Sequence, residues 1–81
     1  MNITEKVTEI IKNLCGAKSI EMEDKLVADL AMDSLSMVSL LVELEDGFQI
    51  TFLESDMNPF ELNTVADVVA LVTKYEEGNN G

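Results

Sequence analysis

Residues 34–47, SLSMVSLLVELEDG, restrict the fold more than any other part of the chain. The segment holds no proline, and most of its residues tolerate a helix, which predicts one helix over this range. At about 100° per residue, Ser36, Ser39, Glu43 and Asp46 gather into one narrow polar stripe, and most of the remaining circumference is apolar. Met37, Leu40, Leu41 and Leu44 share a sector suited to the interior of a helical bundle. Leu35, Val38 and Val42 lie beyond that sector with Glu45 beside them, more apolar surface than a one-sided helix needs to bury. Such a helix is either central in a tiny bundle or partly covered by an external partner, because contiguous exposed apolar surface usually marks an interaction.

The flanking segments supply the rest of a bundle. Asn2-x-x-Glu5 is a capping-box-like start, Ile3, Val7, Ile10, Ile11 and Leu14 follow at helical spacing, and Gly16 offers a left-handed stop. Over residues 16–32 the periodicity loosens, with Ile20, Leu26 and Leu30 as isolated apolar anchors among Glu21, Glu23, Asp24 and Asp29. A loop this long in a small domain is usually functional or pinned, so it is expected to deliver Asp33-Ser34 to a fixed place. Asn58-Pro59-Phe60-Glu61 predicts a short third helix, with a cap residue, proline at the first position and an acid at the third. Thr64-x-x-Asp67 opens a last helix along Val65, Val68, Val69, Val72 and Tyr75. Its valines favour strands by propensity, but strict alternation is missing and the helical period prevails. Residues 76–81 are expected to fray. The expected fold is all-α: a single domain over residues 1–81, forming a small up-and-down four-helix bundle of three longer helices and a short third one.

Charge and composition narrow the function. Sixteen acids against five lysines and arginines give a net charge of −11, which repels nucleic acid and anionic membrane surfaces and favours basic protein partners. No stretch approaches the roughly 20 apolar residues of a membrane span. A start without signal-peptide character and a single cysteine make a cytoplasmic location the expectation. With no histidine, neither a nucleophile–histidine pair nor a histidine metal site can be assembled, and a catalytic role is not expected. Reading Asp46-Gly47 as part of a calcium loop would place Val42, Leu44 and Leu53 at ligand positions, which excludes it. Cys15, Met22, Met32 and Met57 read as core fillers, and Glu21, Glu23 and Asp24 as a solvated acidic loop.

Asp33-Ser34 at a helix start admits two readings. Either residue could cap the helix by accepting the amide of Ser36 or Met37. Alternatively, a phosphate esterified to Ser34 would sit at the positive end of the helix dipole, a placement worth roughly 0.3–1 kcal/mol.

The wider pattern bears on that choice. Asp29-Leu30-x-x-Asp33-Ser34-Leu35, a mostly apolar helix, Glu43-x-Glu45, Phe48 and then Thr64-Val65 resembles a freestanding acyl carrier protein along nearly the whole chain. The resemblance implies that Ser34 carries 4′-phosphopantetheine taken from coenzyme A, and that the thiol of that arm, not Cys15, holds acyl groups as thioesters. It implies as partners a phosphopantetheinyl transferase and acyl-transferring and synthase enzymes with basic docking patches, meeting a monomeric, non-catalytic carrier. The recognition surface would comprise Asp33, Leu35, Ser36, Met37, Val38, Val42, Glu43, Glu45 and Asp46. Acyl chains could withdraw among Leu40, Leu44, Leu62, Val65 and Val69, residues that would be core in any bundle. Two departures stand out: Ser36 and Ser39 occupy positions where fatty-acid-synthesis members usually show acids, and Ala31 replaces a common glycine. An aminoacyl or peptidyl cargo, such as D-alanine or a polyketide or peptide intermediate, is the alternative reading.

Overall fold

A computed structural model describes residues 2–58 and 61–78, and their secondary structure is helical: α1 (Ile3–Cys15), α2 (Ser34–Phe48) and α3 (Val65–Gly78), with a 3-10 turn at Glu54–Asp56 before α3.

Each helix starts where the sequence places a cap. The Asn2 side chain accepts the Glu5 amide at 2.8 Å, and α1 ends at Gly16, whose φ of 74° lies in the left-handed region that glycine enters without strain. Space is not the constraint at Gly16, since a Cβ there would meet nothing within 4 Å. At α3 the box closes in both directions: Thr64 Oγ1 accepts the Asp67 amide at 3.3 Å, while Asp67 Oδ2 accepts the amides of Thr64 at 3.1 Å and Asn63 at 2.9 Å. The valines are explained by packing, with Val65, Val68 and Val72 all fully buried. Burial against neighbouring helices outweighs their modest helix penalty of a few tenths of a kcal/mol each.

The structure moves two helix ends and describes a third segment only in part. Helix α2 runs to Phe48 and stops on Gln49, held at φ 56°, whose amide donates to Glu45 O and whose side-chain amide donates to Asp46 O at 2.7 Å. Helix α3 continues through Glu76, Glu77 and Gly78, where the sequence suggests fraying, and only residues 79–81 lie outside the described chain at this end. For the short third helix, Pro59 and Phe60 lie outside the described residues, and what is described is a turn bond from the Glu61 amide to Asn58 O at 3.1 Å.

The long α1–α2 connection is stitched to the start of α3. Asp24 O accepts the Val65 amide at 3.1 Å, Met22 O accepts that of Ala66 at 2.9 Å, and Leu26 N donates to Asn63 O at 2.9 Å. Loop carbonyls thus satisfy helix amides that have no partner inside α3. Leu26 is fully buried, Met32 is 2 % exposed, and Ile20, Leu30, Met22 and Met57 pack against the same core.

These ties set the helix directions. Lys6, early in α1, lies over the Phe48 ring at 4.9 Å, so α1 runs antiparallel to α2. The start of α3 is bound to the loop that leads into α2, so α2 and α3 run the same way, as the second and last helices of the expected up-and-down order do. The connection from Gln49 to Thr64 therefore climbs back along the bundle, burying Ile50, Phe52 and Leu62 on the way.

Candidate functional site: the start of helix α2

Helix α2 begins on extended backbone at Asp33 (φ −95°, ψ −177°). The Asp33 carboxylate accepts the Ser36 amide at 2.8 Å and the Asp33 carbonyl accepts the Met37 amide at 2.9 Å. The Ser36 amide, helped by the Ser36 hydroxyl, holds the Asp33 carboxyl below its ordinary value of 3.8. Asp33 therefore fills the capping role, and Ser34 does not. Ser34 is the first helical residue, exposed, and no hydrogen bond to its hydroxyl occurs among the described residues.

Two residues upstream aim this start. Met32 is buried immediately before Asp33, and its amide donates to Leu26 O at 3.0 Å. Ala31 takes φ 56°, a left-handed conformation that suits the glycine usual at this position in the resembled family better than alanine.

Below Ser34 the surface divides by burial. Leu35, Val38 and Val42 are 75 %, 48 % and 54 % exposed, while Leu40, Leu41 and Leu44 are buried, as the helical wheel separates them. Asp33, Glu43 and Asp46 are exposed, Ser36 and Ser39 are half-buried, and Val38 and Val42 lie among them along the helix. Met37 is a correction: at 3 % exposure it packs in the core and offers no surface to a partner. Glu45 is half-buried, and its carboxylate accepts the Phe52 amide at 2.8 Å within the chain. Val42, Glu45, Asp46, Gln49, Ile50 and Thr51 line an open depression of about 510 Å³ at the far end of this flank.

Sequence reasoning missed a cluster at the opposite end from Ser34. The Tyr75 hydroxyl donates to Asp56 Oδ2 at 2.5 Å and accepts the Leu53 amide at 2.8 Å, Lys74 pairs with Asp56 at 3.3 Å, and the Phe52 and Tyr75 rings meet edge-on at 4.9 Å. The one available signal was a single tyrosine at a core-facing helix position, where a phenol needs a partner. Val27 and Leu53, each 64 % exposed, also carry no sequence signal of their exposure. Among the described residues no group of three or more potential metal ligands occurs, and no helix is long and apolar enough to cross a membrane.

An esterified phosphate fits this helix start. The hydroxyl is exposed and uncommitted, the capping carboxylate is a separate residue, and the helix behind it is 15 residues long, enough for a developed dipole. The fold and the site define a small helical carrier domain. The comparisons agree: a family model described as a phosphopantetheine attachment site matches residues 5–72. The meromycolate extension acyl carrier proteins of Mycobacterium tuberculosis and Mycolicibacterium aurum are each 40 % identical to the chain over 75 residues, 90 % of its length. The chain spans 64 % of the length of the first of these and 75 % of the second. A solved structure from M. tuberculosis described as a putative acyl carrier protein superposes with a TM-score of 0.80 at 32 % identity, covering 89 % of this chain and 96 % of that one. The chain belongs to the acyl carrier protein family, whose prosthetic group is 4′-phosphopantetheine.

Proposed function

We propose that this chain is a monomeric, single-domain acyl carrier whose Ser34 bears the phosphopantetheine arm and which presents acyl groups to the enzymes of fatty-acid or related acyl-chain assembly. The observation that carries the assignment is the division of labour at the helix start: Asp33 caps α2 through Ser36, which leaves the Ser34 hydroxyl exposed and uncommitted. The arm would supply the thiol on which acyl groups travel as thioesters.

The chain's own residues supply presentation and address. Met32 and Leu26 anchor the loop that holds Asp33 and Ser34 outward. Leu35, Val38 and Val42, bordered by Glu43 and Asp46, form an apolar strip with an acidic edge, suited to a partner patch of apolar residues ringed by lysine and arginine. Such contacts give fast, salt-sensitive encounters, which suits a shuttle visiting several enzymes. The relatives that are meromycolate extension carriers favour acyl elongation over aminoacyl cargo. With Ser36 and Ser39 in place of acids, the strip is less charged near Ser34, so the partners should read shape there and charge further along at Glu43 and Asp46.

Intact mass before and after incubation with a broad-specificity phosphopantetheinyl transferase and coenzyme A tests the proposal. One phosphopantetheine is gained on Ser34, and Ser34→Ala gains none. Attachment at any other side chain, or none under forcing conditions, refutes the assignment. Acyl against aminoacyl loading enzymes, offered the holo protein, then separate the two cargo classes.

A further inference from the structure

The connection that leaves α2 has two faces. Ile50 and Phe52 are buried, whereas Thr51 is exposed and Leu53 is 64 % exposed, the alternation of an extended segment with one side on a core. Thr51 and Leu53 therefore share the outer face, and Thr51 borders the depression that Val42 also lines. This outer face continues the apolar strip of α2 beyond Val42.

The backbone that presents Leu53 is tied to two helices. Phe52 N–H donates to the Glu45 carboxylate of α2 and Leu53 N–H donates to the Tyr75 hydroxyl of α3, each at 2.8 Å. The Tyr75 hydroxyl donates in turn to Asp56, and the Tyr75 ring stands edge-on to Phe52. Core packing accounts for the inner face of this segment, but not for a leucine directed outward from a backbone fixed in this way. A large apolar side chain left in water on a preordered backbone has the form of a binding anchor, because little ordering entropy remains to be lost on contact.

We infer that Leu53 is a second docking anchor, positioned by Tyr75, and that its occupant is an acyl-loading enzyme with an apolar pocket rimmed by lysine and arginine. The inference rests on the carrier reading with Ser34 as the attachment point. Such an enzyme covers α2 from Leu35 to Val42 and reaches across the depression to Leu53. Charge selects this occupant. Residues 26–73 carry nine acids and no lysine or arginine. Glu43 and Asp46 on α2 and Glu54 beside Leu53 are exposed, and Lys74 is paired with Asp56 at 3.3 Å. A second copy of this chain, at net charge −11, is repelled, and so is an anionic lipid surface. A basic rim is attracted, and its apolar centre matches Val42 and Leu53.

The test uses holo protein made from the natural chain, Leu53→Asn, Leu53→Ala and Tyr75→Phe, with an ATP-dependent acyl-loading enzyme of broad specificity as the probe. Intact mass confirms the arm first. Then kcat and KM for loading, urea midpoints and hydrogen exchange of the Leu53 amide are measured. Both Leu53 variants raise KM about fivefold or more at unchanged kcat. Their urea midpoints stay near the natural one, because most of the side chain is already in water. Tyr75→Phe keeps the ring and loses the hydroxyl, so exchange at Leu53 accelerates and KM rises by a smaller factor. Added to Leu53→Asn it raises KM no further, whereas a general loss of structure would raise KM in either background. Failure of any phosphopantetheine to attach at Ser34 overturns the carrier reading and this inference together. Complete attachment with a KM unchanged by both Leu53 variants overturns the anchor alone. Sedimentation of the natural chain as a dimer that Leu53→Asn dissociates assigns Leu53 to a second copy and overturns it as well.

Discussion

The Asp33 carboxylate accepts the Ser36 amide at 2.8 Å, so capping and attachment fall to neighbouring residues of one helix start. A serine serving as its own cap would hold its oxygen in the helix and present it poorly to a transferase. With Asp33 in that place, the hydroxyl one residue on is released while the helix still begins at the same point.

Substitutions on the two residues should therefore separate cleanly. Ser34→Ala leaves the urea midpoint within error of the natural chain and abolishes arm attachment, because its hydroxyl holds nothing in the fold. Asp33→Ala lowers the urea midpoint, since the Ser36 amide loses its acceptor. The Asp33 carboxyl is held below its ordinary 3.8, so its contribution is present above that value and disappears as pH falls through the lower folded one. The difference in stability between the natural chain and Asp33→Ala consequently narrows in acid. Urea titrations at neutral and strongly acidic pH measure both effects.

Ala31 holds a left-handed φ of 56°, a conformation that costs a residue with a Cβ roughly 1–2 kcal/mol. Glycine avoids that strain but adds about 0.4–1 kcal/mol of unfolded-state freedom. Relief of the strain outweighs the added freedom, so Ala31→Gly raises stability by up to about 1 kcal/mol, read from urea unfolding. Gln49 shares the left-handed conformation at φ 56°, yet its side chain also bonds Asp46 O. Gln49→Gly therefore gains less, and a larger gain there than at Ala31 would contradict a strain-relief origin.

Tyr75 is the only tyrosine, so ultraviolet absorbance of the phenolate reports it alone. Burial first, and then the bond to Asp56, push its pKa above the ordinary 10.0. Its native midpoint lies above 10.0 and returns to the ordinary value in denaturant. Asp56→Asn lowers the native midpoint while leaving it above the unfolded one, because burial remains. A raised folded pKa contributes its stability fully below about pH 10 and loses it as pH rises through the folded value. Asp56, lowered by the Tyr75 hydroxyl and then by Lys74, closes the window from the acid side. The hydrogen bond from a neutral Tyr75 hydroxyl to an ionised Asp56 is thus present between those limits and weakens beyond either.

What could be read from the sequence divides by distance along the chain. The caps at Asn2, Asp33 and Thr64 each bond an amide three residues on, so residue type and spacing suffice to locate them. The wheel of α2 likewise separates Leu40, Leu41 and Leu44 from Leu35, Val38 and Val42 because the helical period is a local property. Glu45 reads from sequence as part of the docking edge because nothing local reveals an amide seven residues later that turns back to meet it. Tyr75 reaches residues 53 and 56 across more than eighteen positions, a pairing decided only when the connection folds back along α3. Met37 belongs to the core sector by the wheel and to the recognition surface by the family resemblance, and its burial settles the matter in favour of the core.

The exposed strip and the buried sector of α2 should respond oppositely to substitution. Leu41 and Leu44 are 1 % and 0 % exposed, so truncation to alanine leaves cavities at a cost of about 2–5 kcal/mol each, a large part of a small domain's total stability. Val38 and Val42 are about half exposed, and Leu35 is 75 % exposed, so much of their apolar area stays in water on folding. Changing them to a polar residue of similar size costs the fold less than about 0.5 kcal/mol. For a carrier that docks through this strip, the same change slows transfer of the arm and of acyl groups by partner enzymes. Val42→Thr and Leu35→Gln, assayed for urea midpoint and for transferase kcat/KM, separate the effects: an unchanged midpoint with a several-fold lower kcat/KM supports a docking strip. Equal kcat/KM for both variants and the natural chain would mean that partners read this helix through Glu43 and Asp46 alone.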